Sequence, residues 1–160
     1  VNAADIKSHE KLRHAATHEM AHAVARTLLR TLSGVQFVAL MLDDDGALLG
    51  NVRVNPTLPN ELVFDNVVAK LAGFAAEVAL LNEDREQARR AAEDDFECVE
   101  KLIERFEADD QQYFRVRGMQ AAFAFVEEHR DKILSLADEL IAVGIVPGAR
   151  VRELCAERAA

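Results

Sequence analysis

His18-Glu19-Met20-Ala21-His22 places two imidazoles four residues apart, with a carboxylate beside the first. On a helix, residues i and i+4 stand one above the other on the same face, so ring nitrogens from adjacent turns can reach one ion. A catalytic zinc takes three protein ligands and leaves one position for water, whose acidity it raises. Glu19, next to the first ligand, is then placed to take a proton from that water as a general base. A shuffled chain with the same composition, 5 His in 160 residues, would carry this pattern by accident only about 1–2% of the time.

The third ligand has to come from elsewhere. The HExxHxxGxxH arrangement would need Gly at position 25 and His at position 28, and the chain has Ala25 and Leu28, which excludes it. Two carboxylates, Glu77 and Asp95, sit in helices that otherwise face the core. Glu93, Glu97, Glu100 and Glu104 share one solvated face, whereas Asp95 falls on the stripe of Val99, Leu102 and Phe106. A charge on an apolar stripe is costly unless it is paired or bound to metal, so Asp95 is the favoured third ligand. A buried salt bridge or a contact with the helix N-terminus is its competing role. Glu77 is the candidate acceptor for the remaining N–H of a ligand histidine. The expected cofactor is one Zn²⁺ per chain.

Several elements must position these groups. Residues 8–32 lack Gly and Pro and are rich in Ala, Leu, Arg and Glu, which predicts a long helix from a Ser8 cap to just before Ser33-Gly34. Ala15, His18, His22, Ala25 and Leu29 form one stripe on it. The pattern then changes to two strands, Val35 to Leu42 and Ala47 to Val54, joined through Asp43-Asp44-Asp45-Gly46 as a β-hairpin. The second strand, around Gly50 to Val54, could pair with an extended peptide. A helix over 60–82 has a large stripe (Val67, Leu71, Phe74, Val78, Leu81) and a smaller one (Ala69, Gly73, Ala76, Leu80), the mark of a central helix. The charged stretch 82–92 is expected to be a solvated connection or an exposed helical turn. Helices are further predicted over 93–106, 119–143 and 149–159, the second ended by Gly144 and Pro147. The fold class is therefore mainly α (α+β): four to five helices around a small β-hairpin, in one domain spanning 1–160, with the metal between the first helix and the start of the third.

Composition narrows the partners. A net charge of −9 without any Lys/Arg-rich stretch argues against nucleic acid, which needs a concentrated basic face. The longest apolar run, Leu71 to Leu81, is about half a bilayer span and contains Glu77, so no membrane segment is expected. Cys98 and Cys155 lack CxxC spacing and are expected as buried free thiols in a reducing cytoplasm. No GxxxxGK[ST] phosphate loop occurs. The chain starts at Val1 and its first ten residues lack the apolar core of a signal peptide, so a piece cut from a longer protein is expected.

Taken together, these residues resemble the zinc metallopeptidase domain of the FtsH-type AAA proteases. The resemblance runs in order through HEMAH, the Asp-Gly hairpin, Leu71 to Glu77, Ala92-Glu93-Asp94-Asp95-Phe96 and Glu128-His129-Arg130-Asp131-Lys132, and ends at Leu136 to Leu140. It covers nearly the whole chain. The differences are Ala21 where the family usually has Gly, Ala72 and Phe74 within the Leu-Gly-Gly-Arg-Ala-Ala-Glu stretch, and a short segment between Phe106 and Met119. The resemblance implies that His18, His22 and Asp95 bind zinc. It also implies a zinc-dependent endopeptidase acting on polypeptides through metal-activated water, with Glu19 as general base. An AAA unfoldase module in the same or another chain, a homo-oligomeric ring and a cytoplasmic location, with any membrane attachment made by a part outside this chain, follow from the same resemblance. The alternative is a non-catalytic, zinc-stabilised scaffold or partner-binding module of the same fold.

Overall fold

The computed structural model describes residues 3–31, 34–40 and 58–157. Among them the chain forms α1 (Ala3–Leu28), β1 (Phe37–Ala39), α2 (Asn60–Leu81), α3 (Arg85–Ala91), α4 (Glu93–Ile103), α5 (Ala108–Glu128), α6 (Arg130–Val143), β2 (Ile145–Pro147) and α7 (Gly148–Ala156). The fold is mainly helical with a small antiparallel β element. No helix among the described residues is long and apolar enough to cross a membrane.

α2 is the helix around which the others gather. It packs against α1, α3, α4 and α5, while α1 continues onto α6 and α7. Every residue from Val67 to Glu77 is buried, as expected for a helix that is apolar on two faces. Both helices bury small residues: Ala16, Ala21 and Ala25 on α1, and Ala69, Ala72, Gly73 and Ala76 on α2. Larger side chains fill the remaining space. Met20, Leu71, Leu136 and Leu140 are 0–2% exposed, each contributing about 1.5–3 kcal/mol by the apolar area removed from water.

Helix ends follow local chemistry. α1 stops at Leu28, earlier than its composition predicts, because the Arg30 backbone N–H donates to Asp65 Oδ2 on α2 (3.0 Å) and the Thr31 hydroxyl takes the Arg26 carbonyl (3.0 Å). α2 ends in left-handed Asn82 (φ 57°), whose N–H returns to the Glu77 carbonyl. The charged stretch after it forms a helix of its own, α3, because the Asp84 side chain accepts from the N–H groups of Glu86 and Gln87 (3.0 and 3.1 Å). The helix predicted over 119–143 is two helices broken at His129, and the polar stretch before it belongs to α5.

The strand predicted over 35–42 is present as β1, whereas the Asp-Gly turn and the strand predicted over 47–54 lie outside the described residues. Among the described residues β1 pairs with β2, more than a hundred residues away, in the register Phe37↔Pro147, Val38↔Val146, Ala39↔Ile145. Gly144 (φ 80°) turns the chain from α6 into β2, and the Gly148 N–H donates to the Gln36 carbonyl (2.7 Å). At Gly148 there is no room for a side chain, since a Cβ would overlap the Val35 carbonyl oxygen. Gly148→Ala is therefore expected to destabilise the fold by about 1–3 kcal/mol through overpacking against backbone, read as a lower urea midpoint at unchanged slope.

Candidate metal centre

α1, α2 and α4 each deliver part of one cluster. His18 and His22 project from consecutive turns of α1 and are 9% and 4% exposed. Asp95 lies in the first turn of α4, where the helix N-terminus also favours a carboxylate. Its placement depends on α3: Ala88 and Ala92 close over Phe74, and Phe96, beside Asp95, packs edge-on against Phe74 (5.3 Å) beneath the Arg89 guanidinium (3.5 Å). Val99, Leu102 and Ile103 bury the same side of α4.

Three side-chain atoms converge. His18 Nε2 and His22 Nε2 are 3.0 Å apart, and Asp95 Oδ2 is 3.0 Å from the first and 3.1 Å from the second. The far side of each ring settles its tautomer. His22 Nδ1 lies 2.7 Å from the Ala69 carbonyl oxygen, which can only accept, so Nδ1 carries the proton. His18 Nδ1 lies 2.6 Å from Glu77 Oε1 and donates to that carboxylate. With Nδ1 of each ring committed elsewhere, both Nε2 atoms face a carboxylate oxygen, and these three residues can hold a metal ion.

Without a metal, a proton must do what the cation would. Burial opposes a charged His18, but the hydrogen bonds and charges of Asp95 and Glu77 outweigh it and push the imidazole up to about 10. Burial likewise opposes a charged Asp95. The charge and hydrogen bonds of the two imidazoles prevail and hold its carboxyl far below the usual range.

The structure brings His18, His22 and Asp95 into one group and sets Glu77 behind His18. Glu19 follows His18 on α1 and is half-buried, and its charge acts on half-buried Arg26 and buried Lys70. Cys98 and Cys155 are free and half-buried. Sequence reasoning missed Lys70. It is 7% exposed, its ammonium has no hydrogen-bond partner among the described residues, and it stands 3.8 Å from Asp95 Oδ1. Burial is the main cause that lowers its pKa, against the opposing charge of Asp95. The available signal was its position between Val67 and Glu77 in a stretch apolar on two faces. His14 continues the His18–His22 row one turn too far to share its metal and reads from sequence as an ordinary surface or helix-cap residue. Together with Glu83, which was overlooked, it approaches Glu77 from the other side.

No protein-family model matches the chain, and no curated protein matches its sequence.

Gly73 sets how closely α2 can approach the site. A Cβ there would lie 2.5–2.7 Å from three atoms of the His18 ring, so Gly73→Ala must displace a ligand. Metal affinity is expected to fall about 10–100-fold, the loss typical of disturbed ligand support, measured by chelator competition with helicity retained. Metal uptake should also release close to one proton near neutral pH, because His18 without metal stays protonated to about 10. Affinity then rises about tenfold per pH unit through the neutral range, and calorimetry in buffers of different ionisation enthalpy reads the proton directly. The metal-free fold follows the opposite course. Its stabilisation from a raised His18 pKa is complete below the ordinary histidine value and is lost as pH climbs toward about 10.

Proposed function

We propose that this chain is a zinc-dependent endopeptidase with the catalytic arrangement of the FtsH-type metallopeptidase domains it resembles. The observation that carries the reading is the convergence of the two Nε2 atoms and Asp95 Oδ2, with the rings' far nitrogens committed to Ala69 and Glu77. The donor set fits zinc: two imidazole nitrogens and one carboxylate oxygen are what borderline divalent ions take in open catalytic sites. Ligand atoms about 2.0–2.1 Å from a tetrahedral zinc would stand about 3.3 Å from one another, a few tenths of an ångström wider than the 3.0–3.1 Å spacing here.

Zinc, when bound, would supply a Lewis acid for the scissile carbonyl and lower the pKa of a water to about 7. His18, His22 and Asp95 hold it, and Glu77 keeps the His18 ring oriented through Nδ1–H. Glu19 has the general-base role, accepting the proton of the attacking water and returning it to the leaving amine. The substrate is a polypeptide. An AAA unfoldase that feeds it and a homo-oligomeric ring belong to the same proposal and draw their support from the resemblance.

A second reading, a zinc-stabilised module without turnover, is favoured by one feature: the ligands tie α1 to α4 across α2 within the core, so an ion there would stabilise the fold in either case. Glu19→Gln separates the two. The native protein is expected to hold stoichiometric zinc and cleave casein, and the variant to keep its zinc and lose at least about 100-fold in cleavage rate, the lower end of a general-base contribution. Absence of stoichiometric zinc from the purified native protein overturns both readings. Zinc without cleavage, alone or with an unfoldase, leaves only the second.

A further inference from the structure

Glu77 has two carboxylate oxygens, and the site above uses one. Oε1 accepts from His18 Nδ1–H; Oε2 faces away, 3.4 Å from His14 Nδ1. The same His14 nitrogen lies 3.2 Å from Glu83 Oε2. His14 belongs to α1, Glu77 to α2 and Glu83 to the turn after α2, so three separate segments meet at this point. The turn is built to bring Glu83 back: left-handed Asn82 reverses the chain, and the Glu83 N–H returns to the Glu77 carbonyl (3.0 Å). Each carboxylate is held through its other oxygen, Glu77 by His18 and Glu83 by the Asp84 backbone N–H (2.9 Å).

One imidazole nitrogen and two carboxylate oxygens thus stand within 4.8 Å of one another, oriented by hydrogen bonds from outside the trio, as metal ligands commonly are. Two neighbouring carboxylates repel each other and call for a cation between them. Lys and Arg do not fill that place among the described ion pairs: the only partner shown for Glu83 is His14, and those of Glu77 are His14 and His18.

We propose that His14, Glu77 and Glu83 form a second divalent-cation site, distinct from the His18–His22–Asp95 centre and independent of whether that centre is catalytic. One imidazole with two carboxylates suits zinc, manganese or cobalt rather than a soft ion. The side chains of His14 and Glu83 are 20% and 23% exposed, so water completes the coordination and the ion exchanges more readily than at the buried centre. Because Glu77 is shared, an ion here draws negative charge from the carboxylate that supports His18. The two sites therefore oppose each other's occupancy, reciprocally.

The test is zinc stoichiometry by equilibrium dialysis and elemental analysis, on proteins whose helical content is checked by circular dichroism. Native protein is expected to bind one tight and one weaker equivalent. His14→Asn and Glu83→Gln each keep the tight equivalent and lose the weaker one. His22→Ala, which removes a ligand of the first centre, keeps the weaker equivalent and binds it more tightly than native protein whose first centre is filled. A single equivalent in native protein overturns the proposal. So does a second equivalent that survives both His14→Asn and Glu83→Gln, as an ion on scattered surface carboxylates would. Loss of both equivalents in His22→Ala shows the second site to be no independent site.

Discussion

Two imidazole nitrogens and a carboxylate oxygen aimed at one point inside a core, where only a proton or a metal cation can hold them together, are the constraint the rest of this structure serves. Two imidazole acceptors and a carboxylate at 3.0–3.1 Å repel unless a cation joins them, and in a buried place the repulsion is weakly screened. The fold has to force this meeting. It does so by committing the opposite edge of each ring: His22 to a backbone carbonyl of α2, His18 to the Glu77 carboxylate. Neither ring can then rotate away without leaving a buried polar group unsatisfied, at a cost of about 1–3 kcal/mol.

That commitment explains the composition of the α1–α2 contact. Both ring partners are on α2, so the two helices must lie close, and both carry buried alanines, with one glycine under the His18 ring. Leucine or valine in these places would bury more apolar area, yet would push α2 beyond reach of the histidines. Further packing is made on the other flanks, where α2 meets α5 and α1 meets α6 and α7. α3 and Phe74 then seat the start of α4 at the depth Asp95 requires.

How much of this could be read from the chain depends on the range of each interaction. The spacing of His18 and His22 is a property of one helix, and Asp95 stands out because its neighbours at i+4 and i+7 are Val99 and Leu102. The end of α6 is legible in Gly144, since only a left-handed residue fits there. Pairing of β1 with β2 is not, because Phe37 and Pro147 meet through the docking of every helix between them, and three-residue strands carry almost no alternation of their own. The separate helix α3 was hidden by its charge, although Asp84 ahead of Glu86 and Gln87 is a capping signal. His14 and Glu83 showed nothing in isolation. A histidine one turn too far along α1 and a glutamate after a helix end become neighbours only once Asn82 turns the chain back.

Lys70 follows from the same electrostatics. Asp95 offers Oδ2 to the imidazoles, and its Oδ1 faces the Lys70 ammonium at 3.8 Å, a separation at which no hydrogen bond forms. A buried cation left in that condition is expensive, and burial indeed weakens its hold on its proton. With Glu19, Glu77 and Asp95 gathered around the His18–His22 turn of α1, the centre is nonetheless rich in negative charge, and a lysine at its edge offsets part of that excess. The ammonium also distinguishes the two oxygens of Asp95: the one near Lys70 is drawn toward a fixed charge, leaving the other to face the two imidazoles, where it would serve a metal as a one-point ligand. A carboxylate bound through one oxygen leaves more of the coordination sphere open than one bound through two, and an open position is what separates a reactive metal centre from a purely structural one.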